Sequence, residues 1–303
     1  MLARLQTFIA LTLLGLAALW LAITLPAGRW FVAAAGLALL GGGHAVVLAL
    51  ECLLVARINR ADPAPAATFG AWLRAWWAEC RSAPRVFLWQ QPFRSGRWPD
   101  HLPAAAQGRR GVLLVHGFVC NRGLWNRWLQ RLTAQGLPYV AVNLEPVFGS
   151  IDDYRACIED GVARLQACTG VPPLVVAHSM GGLAVRAWRA QPAQSGRVAH
   201  VITLGTPHHG TWMARWAFSP NARQMRLHGR WLAALRADEA RHAPVAGAFT
   251  CFHSPCDNIV CPVSTAMLLG ADNRLLEGVA HVHMVDHPAP WAELLRRLQA
   301  PVS

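Results

Sequence analysis

Lysine is absent from the 303 residues, so all 28 basic side chains are arginine, in keeping with a GC-rich coding bias. The arginines are scattered rather than gathered in a stripe. No helix-turn-helix, zinc-finger or RNA-binding signature accompanies them, so the formal charge of +12 does not point to nucleic acid. Attraction to anionic lipid headgroups accounts for that charge more simply. The eight cysteines form no CxxC pair and show no Cys/His ligand spacing, so no metal site is expected. Cys251, Cys256 and Cys261 cluster on one stretch and could pair if the chain were exported; their redox state stays open at this point. Charge is scarce as well. With 15% charged and 54% hydrophobic residues, the chain is too apolar for an ordinary soluble domain and too aromatic-rich for a disordered one. Some of the excess belongs in lipid. No internal repeat or low-complexity tract is visible, and the length suits one domain of about 200 to 250 residues plus an appendage.

The appendage is at the start. Phe8 to Leu25 and Trp30 to Val55 are apolar runs, the second interrupted only by His44 and Glu51. Each can cross about 30 Å of hydrocarbon as a helix, and Pro26-Ala27-Gly28-Arg29 between them leaves room only for a tight turn. Residues 1–60 therefore read as a transmembrane helical hairpin. A cleaved signal peptide competes for the first run, but no clear A-x-A site follows it and a second span comes at once. Arg57, Arg60, Arg74, Arg81 and Arg85 follow the second run, against Arg4 before the first. The positive-inside rule then gives a multi-pass protein of a bacterial inner membrane with its body on the cytoplasmic face. His44 and Glu51 share one helical face; the plainer expectation puts Glu51 at the interface and His44 against the partner helix. Residues 61–103 read as a juxtamembrane linker. Its Trp72, Arg74 and Trp76 suit either a helix at headgroup level or one packed on the main domain.

From residue 104 the texture changes to strand-length apolar runs alternating with amphipathic helices, the pattern of a mostly parallel sheet covered on both faces. The candidate strands are GVLLVH, PYVAVNL, PLVVAH, HVITLGT, AFTCFH and RLLEGV, with helices starting near Asn121, Ser150, Met180 and Pro288. Ser150 and Asp153 are spaced as a capping pair.

PLVVAHSMGGLAVRAW carries a strand, a tight turn and a helix, with Ser179 at the turn. Such an elbow needs small residues two before and two after the nucleophile, here Ala177 and Gly181, and it exposes the hydroxyl beside a helix N-terminus. A serine attacks only if a base takes its proton and an acid fixes that base. Asp257 follows the strand AFTCFH, and His281 is read as following RLLEGV directly, so the two are the expected acid and base. His283 and His287 are rival bases, Asp272 and Asp286 rival acids, each less well placed relative to the strand ends. The oxyanion of a tetrahedral intermediate needs fixed main-chain donors, which by position are Phe118 and Met180. Gly117 would permit close approach, and His116 would buttress that loop.

These residues carry a family resemblance. From about Gly111 to His281 the chain resembles bacterial triacylglycerol lipases and esterases of the α/β-hydrolase superfamily, through VHGF, AHSMGG, ITLGTPHHGT and the DNIV and GVAH stretches. The Ala-for-Gly elbow is similar to that of small Bacillus-type lipases. The resemblance implies an α/β-hydrolase fold over residues 104–303 and ester hydrolysis without a cofactor, through an acyl-enzyme on Ser179. The implied partners are an ester or lipid substrate and membrane lipids. Residues 210–245 stand where this fold often inserts a lid, and Trp212, Trp216 and Phe218 would suit acyl chains; a plain packed helix pair is the alternative. The same groups could serve an amidase, thioesterase or acyltransferase, and a non-catalytic membrane scaffold is a further alternative. Nothing in the resemblance accounts for residues 1–103.

Overall fold

The computed structural model describes residues 1–300. Helices α1 (Leu2–Thr24) and α2 (Trp30–Ile58) form the expected hairpin, its turn closed by Arg29 N–H donating to Thr24 O at 3.0 Å. Both are long and apolar enough to cross a membrane by length and composition, and most of their large apolar side chains are exposed. Helix α3 (Phe69–Pro84) begins where the Thr68 hydroxyl accepts from Ala71 N–H at 3.2 Å. Past Pro84 the chain loosens into a π-helical turn, Arg85–Gln90, and ends this segment with the short α4 (Gln91–Arg94).

The body is one six-stranded sheet: β1 (Val112–Val115), β2 (Tyr139–Ala141), β3 (Leu174–His178), β4 (His200–Leu204), β5 (Phe249–His253) and β6 (Asp272–Leu275). The order is β2-β1-β3-β4-β5-β6 with every pairing parallel. Strands covered on both faces must be apolar on both, and β1 and β3 are fully buried. Leu113, Val115, Val175 and Ala177 pack one way, toward α6 (Arg155–Thr169) and α7 (Met180–Arg189). Val112, Leu114, Leu174 and Val176 face the other, against Trp128 and Leu294, with α5 (Asn126–Ala134) and α10 (Pro288–Gln299) as cover. The Ser150–Asp153 capping box is present and opens a 3₁₀ turn that leads into α6. Residues after Gly210 form a 3₁₀ turn (Trp212–Trp216), α8 (Pro220–Gln224) and α9 (Arg230–His242). A buried pair, Arg186 on α7 with Glu239 on α9 at 2.7 and 2.8 Å, ties that segment to the body.

One strand differs from expectation. β6 is Asp272–Leu275, shifted toward the N-terminus relative to RLLEGV, so Glu277 to Ala280 belong to a loop. Asp272 opens that strand rather than preceding it, and Arg274 grips its carboxylate at 2.6 Å. As the edge strand, β6 is largely exposed; the buried apolar Leu276 and Val279 that suggested a strand pack under the sheet from the loop instead.

Candidate active site

Strand order reverses between β1 and β3, and in open parallel sheets ligands bind beyond the carboxyl ends of the strands at such a point. Ser179 stands there, immediately past β3, with φ 54° and ψ −130°. That left-handed φ costs a non-glycine residue energy, and the surroundings hold it. Ser179 N–H donates to Leu204 O at 2.8 Å, and its own carbonyl accepts from the Thr206 hydroxyl at 2.9 Å. A Cβ on Gly181 would lie 2.4 Å from His116 O and 2.7 Å from Val115 O, both immovable backbone. Nothing larger than glycine fits that position.

His281 bridges the serine and the acid. Its Nδ1 lies 2.9 Å from Asp257 Oδ2 and its Nε2 3.0 Å from Ser179 Oγ. The other carboxylate oxygen of Asp257 accepts from Ile259 N–H and Val260 N–H, both at 2.9 Å, so the acid is fixed before it meets the ring. With Asp257 accepting from Nδ1–H, Nε2 is free to accept the serine proton. Burial alone would lower the imidazole pKa, but the Asp257 carboxylate, with Glu79 and Glu51 adding to it, outweighs burial and holds the ring above its ordinary range.

The rivals have other tasks. Asp286 pairs with Arg85 and Arg127, and His287 accepts from Ala289 N–H at the start of α10. Phe118 follows β1 and Met180 is the first residue of α7, where a helix N-terminus has N–H groups without intrahelical partners. A Cβ on Gly117 would sit 2.8 Å from Ser179 Cβ, so the loop of Phe118 lies against Ser179. His116 Nε2 accepts from Leu144 N–H at 3.0 Å, which leaves Nδ1–H for Gly117 O at 2.9 Å. Burial pushes this imidazole down to about 4, so it holds the loop as a neutral ring.

Trp212, Trp216 and Phe218 lie on the segment after Gly210. The Arg215 guanidinium covers both tryptophan rings at 4.7 and 4.9 Å, while Trp216 and Phe218 are exposed. Cys251, Cys256 and Cys261 are buried free thiols, each pushed up to about 11 by burial.

The N-terminal segment reaches the site. Glu51 reaches the body, where it accepts from Asn258 Nδ2 at 2.8 Å, one residue from Asp257. His44 donates to Cys80 O on α3 at 3.1 Å, and Trp76 donates to Ala45 O on α2 at 2.8 Å. Ala71, Ala75 and Ala78 form a stripe that lets α3 approach the body, and Glu79 beside them accepts from Val282 N–H and His283 N–H, both at 2.9 Å. Gln6 on α1 meets Gln91 at 2.7 Å, beneath the loop after β1. A cavity of about 640 Å³ between α2 and α3 has Cys52, Leu53, Trp72, Leu73 and Trp76 in its walls and reaches Pro255 on the acid-bearing loop. Sequence reasoning missed Glu79, Asn258 and His178, whose Nε2–H donates to His281 O at 3.1 Å. The small-residue spacing of α3 was the available signal for Glu79.

Comparison with known proteins agrees with this architecture. The family model described as alpha/beta hydrolase family matches residues 112–254. Among solved structures, Aspergillus fumigatus lipase B is 21% identical with a TM-score of 0.58, over 69% of this chain and 58% of that one. Bacillus licheniformis lipase BlEst2 in its mature form is 17% identical with a TM-score of 0.56, over 65% of this chain and 96% of that one. This chain thus spans little more than half of the Aspergillus lipase. No curated protein sequence matches it. By its sheet order, its elbow and the family-model match over residues 112–254, the chain has the α/β-hydrolase fold and is similar in build to solved lipases.

Proposed function

We propose that the chain is a membrane-anchored serine esterase or lipase that cleaves carboxylic esters of apolar, lipid-like substrates. The observation that carries this reading is the pair of hydrogen bonds joining Ser179 Oγ to His281 and His281 to Asp257, at 3.0 and 2.9 Å. Ser179 Oγ attacks the ester carbonyl as His281 Nε2 takes its proton, and the carbonyl oxygen becomes an oxyanion facing the N–H groups of Met180 and Phe118. Collapse breaks the bond to the alkoxide, which leaves with the proton from His281, and a water activated by the same ring then releases the acid from Ser179.

Apolar substrates are favoured by the cavity beside the Asp257 loop and by the exposed Trp216 and Phe218, with Trp212, on the lid-like segment. Anchoring rests on α1 and α2, which would place residues 1–60 in the bilayer, with the arginine excess after α2 favouring a cytoplasmic body.

The test is a panel of nitrophenyl esters of rising acyl length on the detergent-purified chain, with a fluorophosphonate probe and Ser179→Ala alongside. Turnover rising with chain length is expected. Ser179→Ala should lose both labelling and about 10⁴-fold or more in kcat. Unchanged labelling in that variant, or a clear preference for acetyl esters, would count against the reading.

A further inference from the structure

His281 sits six residues beyond the last residue of β6, in a loop that turns at Gly278 with φ +67°. No strand ladder fixes its backbone, yet its ring must keep two contacts at 3.0 Å or less. Misplacing a catalytic group by about 1 Å can cost on the order of 100-fold in rate. The fixing comes from four side-chain contacts. Two belong to the body: Asn258 Oδ1 accepts from His281 N–H at 3.2 Å, and His178 Nε2–H donates to His281 O. The other two come from outside it. Glu79 on α3 receives the next two N–H groups, of Val282 and His283, one on each oxygen. Glu51 on α2 accepts from the far end of the same Asn258 side chain that holds His281 N–H.

Burying a carboxylate is costly unless its lone pairs are filled, and Glu79 is only 2% exposed. Burial pushes its carboxyl up to about 7 despite the two backbone donations that pull the other way. Among the described residues it has no ion pair with an arginine, so its placement gives no salt bridge in return. What lies beside it is the segment that carries the imidazole.

We propose that Glu79 and Glu51 are positioning residues for His281, so that the helices preceding the sheet complete the hydrolytic machinery of the body. The inference rests on the serine-hydrolase reading above and extends it to the segment that the lipase resemblance leaves unexplained. The acidic groups act in two ways. Through Asn258 and the 282–283 backbone they hold the histidine loop in place, and in their ionised forms they favour the imidazolium that forms when Ser179 gives up its proton. The charged or titratable groups facing that ring are Asp257 from the loop after β5, Glu79 from α3, Glu51 from α2 and His178 from the end of β3.

The test uses the full-length chain in detergent, with Glu79→Ala, Glu79→Gln, Glu51→Ala and Glu51→Gln. The measurements are kcat and KM on one nitrophenyl ester, the acid limb of kcat/KM, the rate of fluorophosphonate labelling and Tm. Glu79→Ala is expected to lose about 10- to 100-fold in kcat with KM little changed, and Glu79→Gln, which keeps one acceptor, should recover part of it. Glu51→Ala should lose about 3- to 10-fold. Glu51→Gln, whose amide oxygen still accepts from Asn258, should restore kcat while shifting the acid limb to lower pH, because one anion near the ring is gone. Should Glu79→Ala fail to fold, the Glu79→Gln and Glu51 variants decide.

Wild-type kcat and labelling in Glu51→Ala and Glu79→Gln would overturn the proposal. So would losses in which KM rises while kcat and the acid limb stay put. A wild-type chain that the probe does not label would instead overturn the serine-hydrolase reading, and this one with it.

Discussion

The two parts of this molecule use apolar side chains in opposite ways. In the body, β1 and β3 are buried on both faces and every large apolar residue in them meets protein. In the first 60 residues, Phe8, Leu14, Leu19, Phe31 and Leu39 stand exposed along two helices. Three polar groups of that region, Gln6, Glu51 and Asn59, instead bond inward, to Gln91, Asn258 and Pro255. An exposed apolar surface of this length marks a contact face, and the inward polar groups bind the hairpin to the body. The difference teaches that hairpin and body are not independent modules here. The apolar exterior and the polar contacts belong to the same helices.

The contrast can be broken from either side. The largest expected effect lies in the body: Asp257→Asn should cost about 10⁴-fold in kcat, because an amide donating to His281 selects the wrong tautomer, and steady-state kinetics against a long-chain ester would reveal it. Next comes the buried pair between α7 and α9. Arg186→Met leaves Glu239 charged and buried without its partner, a loss of about 3–5 kcal/mol that a fall in Tm or in the denaturant midpoint should report. On the hairpin, Leu14→Asp puts a charge in the middle of α1, on a side chain that is 64% exposed. Insertion should weaken by about 2.5–3.5 kcal/mol, read as a smaller fraction floating with phosphatidylethanolamine/phosphatidylglycerol vesicles. An unchanged fraction would mean that α1 does not meet lipid. The smallest effect is expected at the joint between the two parts. Thr68→Ala removes the cap of α3 and should lower stability by about 1 kcal/mol, seen as a small drop in Tm.

How much of this was legible in advance varied with the range of the interactions. The elbow could be read because its chemistry is local: a strand, a small-residue turn and a helix in one stretch from Pro173 to Trp188. His281 contacts Ser179 and Asp257 contacts His281, in the chain order and at the loops expected. The reasoning for His281 was less accurate, since it assumed a strand ending just before it, whereas Leu276 and Val279 are apolar for packing from a loop. Glu51 stood out as a carboxylate in an apolar run, but its partner lies 207 residues away, and no local pattern names a partner at that separation. Glu79 gave less warning still, because its acceptor role depends on where the 282–283 backbone falls.

By itself the sequence determined the periodicities: two apolar runs of membrane length, an alternation of strands and helices, and a serine at a turn too tight for anything but small neighbours. Those are consequences of local sterics and of side-chain polarity along the chain. Only the tertiary structure decided that the hairpin and α3 lie against the loops of the candidate site, and that Glu51 meets Asn258 and Glu79 the backbone after His281. Such contacts arise from how separately formed elements dock, and docking is fixed by the shapes of two surfaces together, which neither stretch of sequence contains alone.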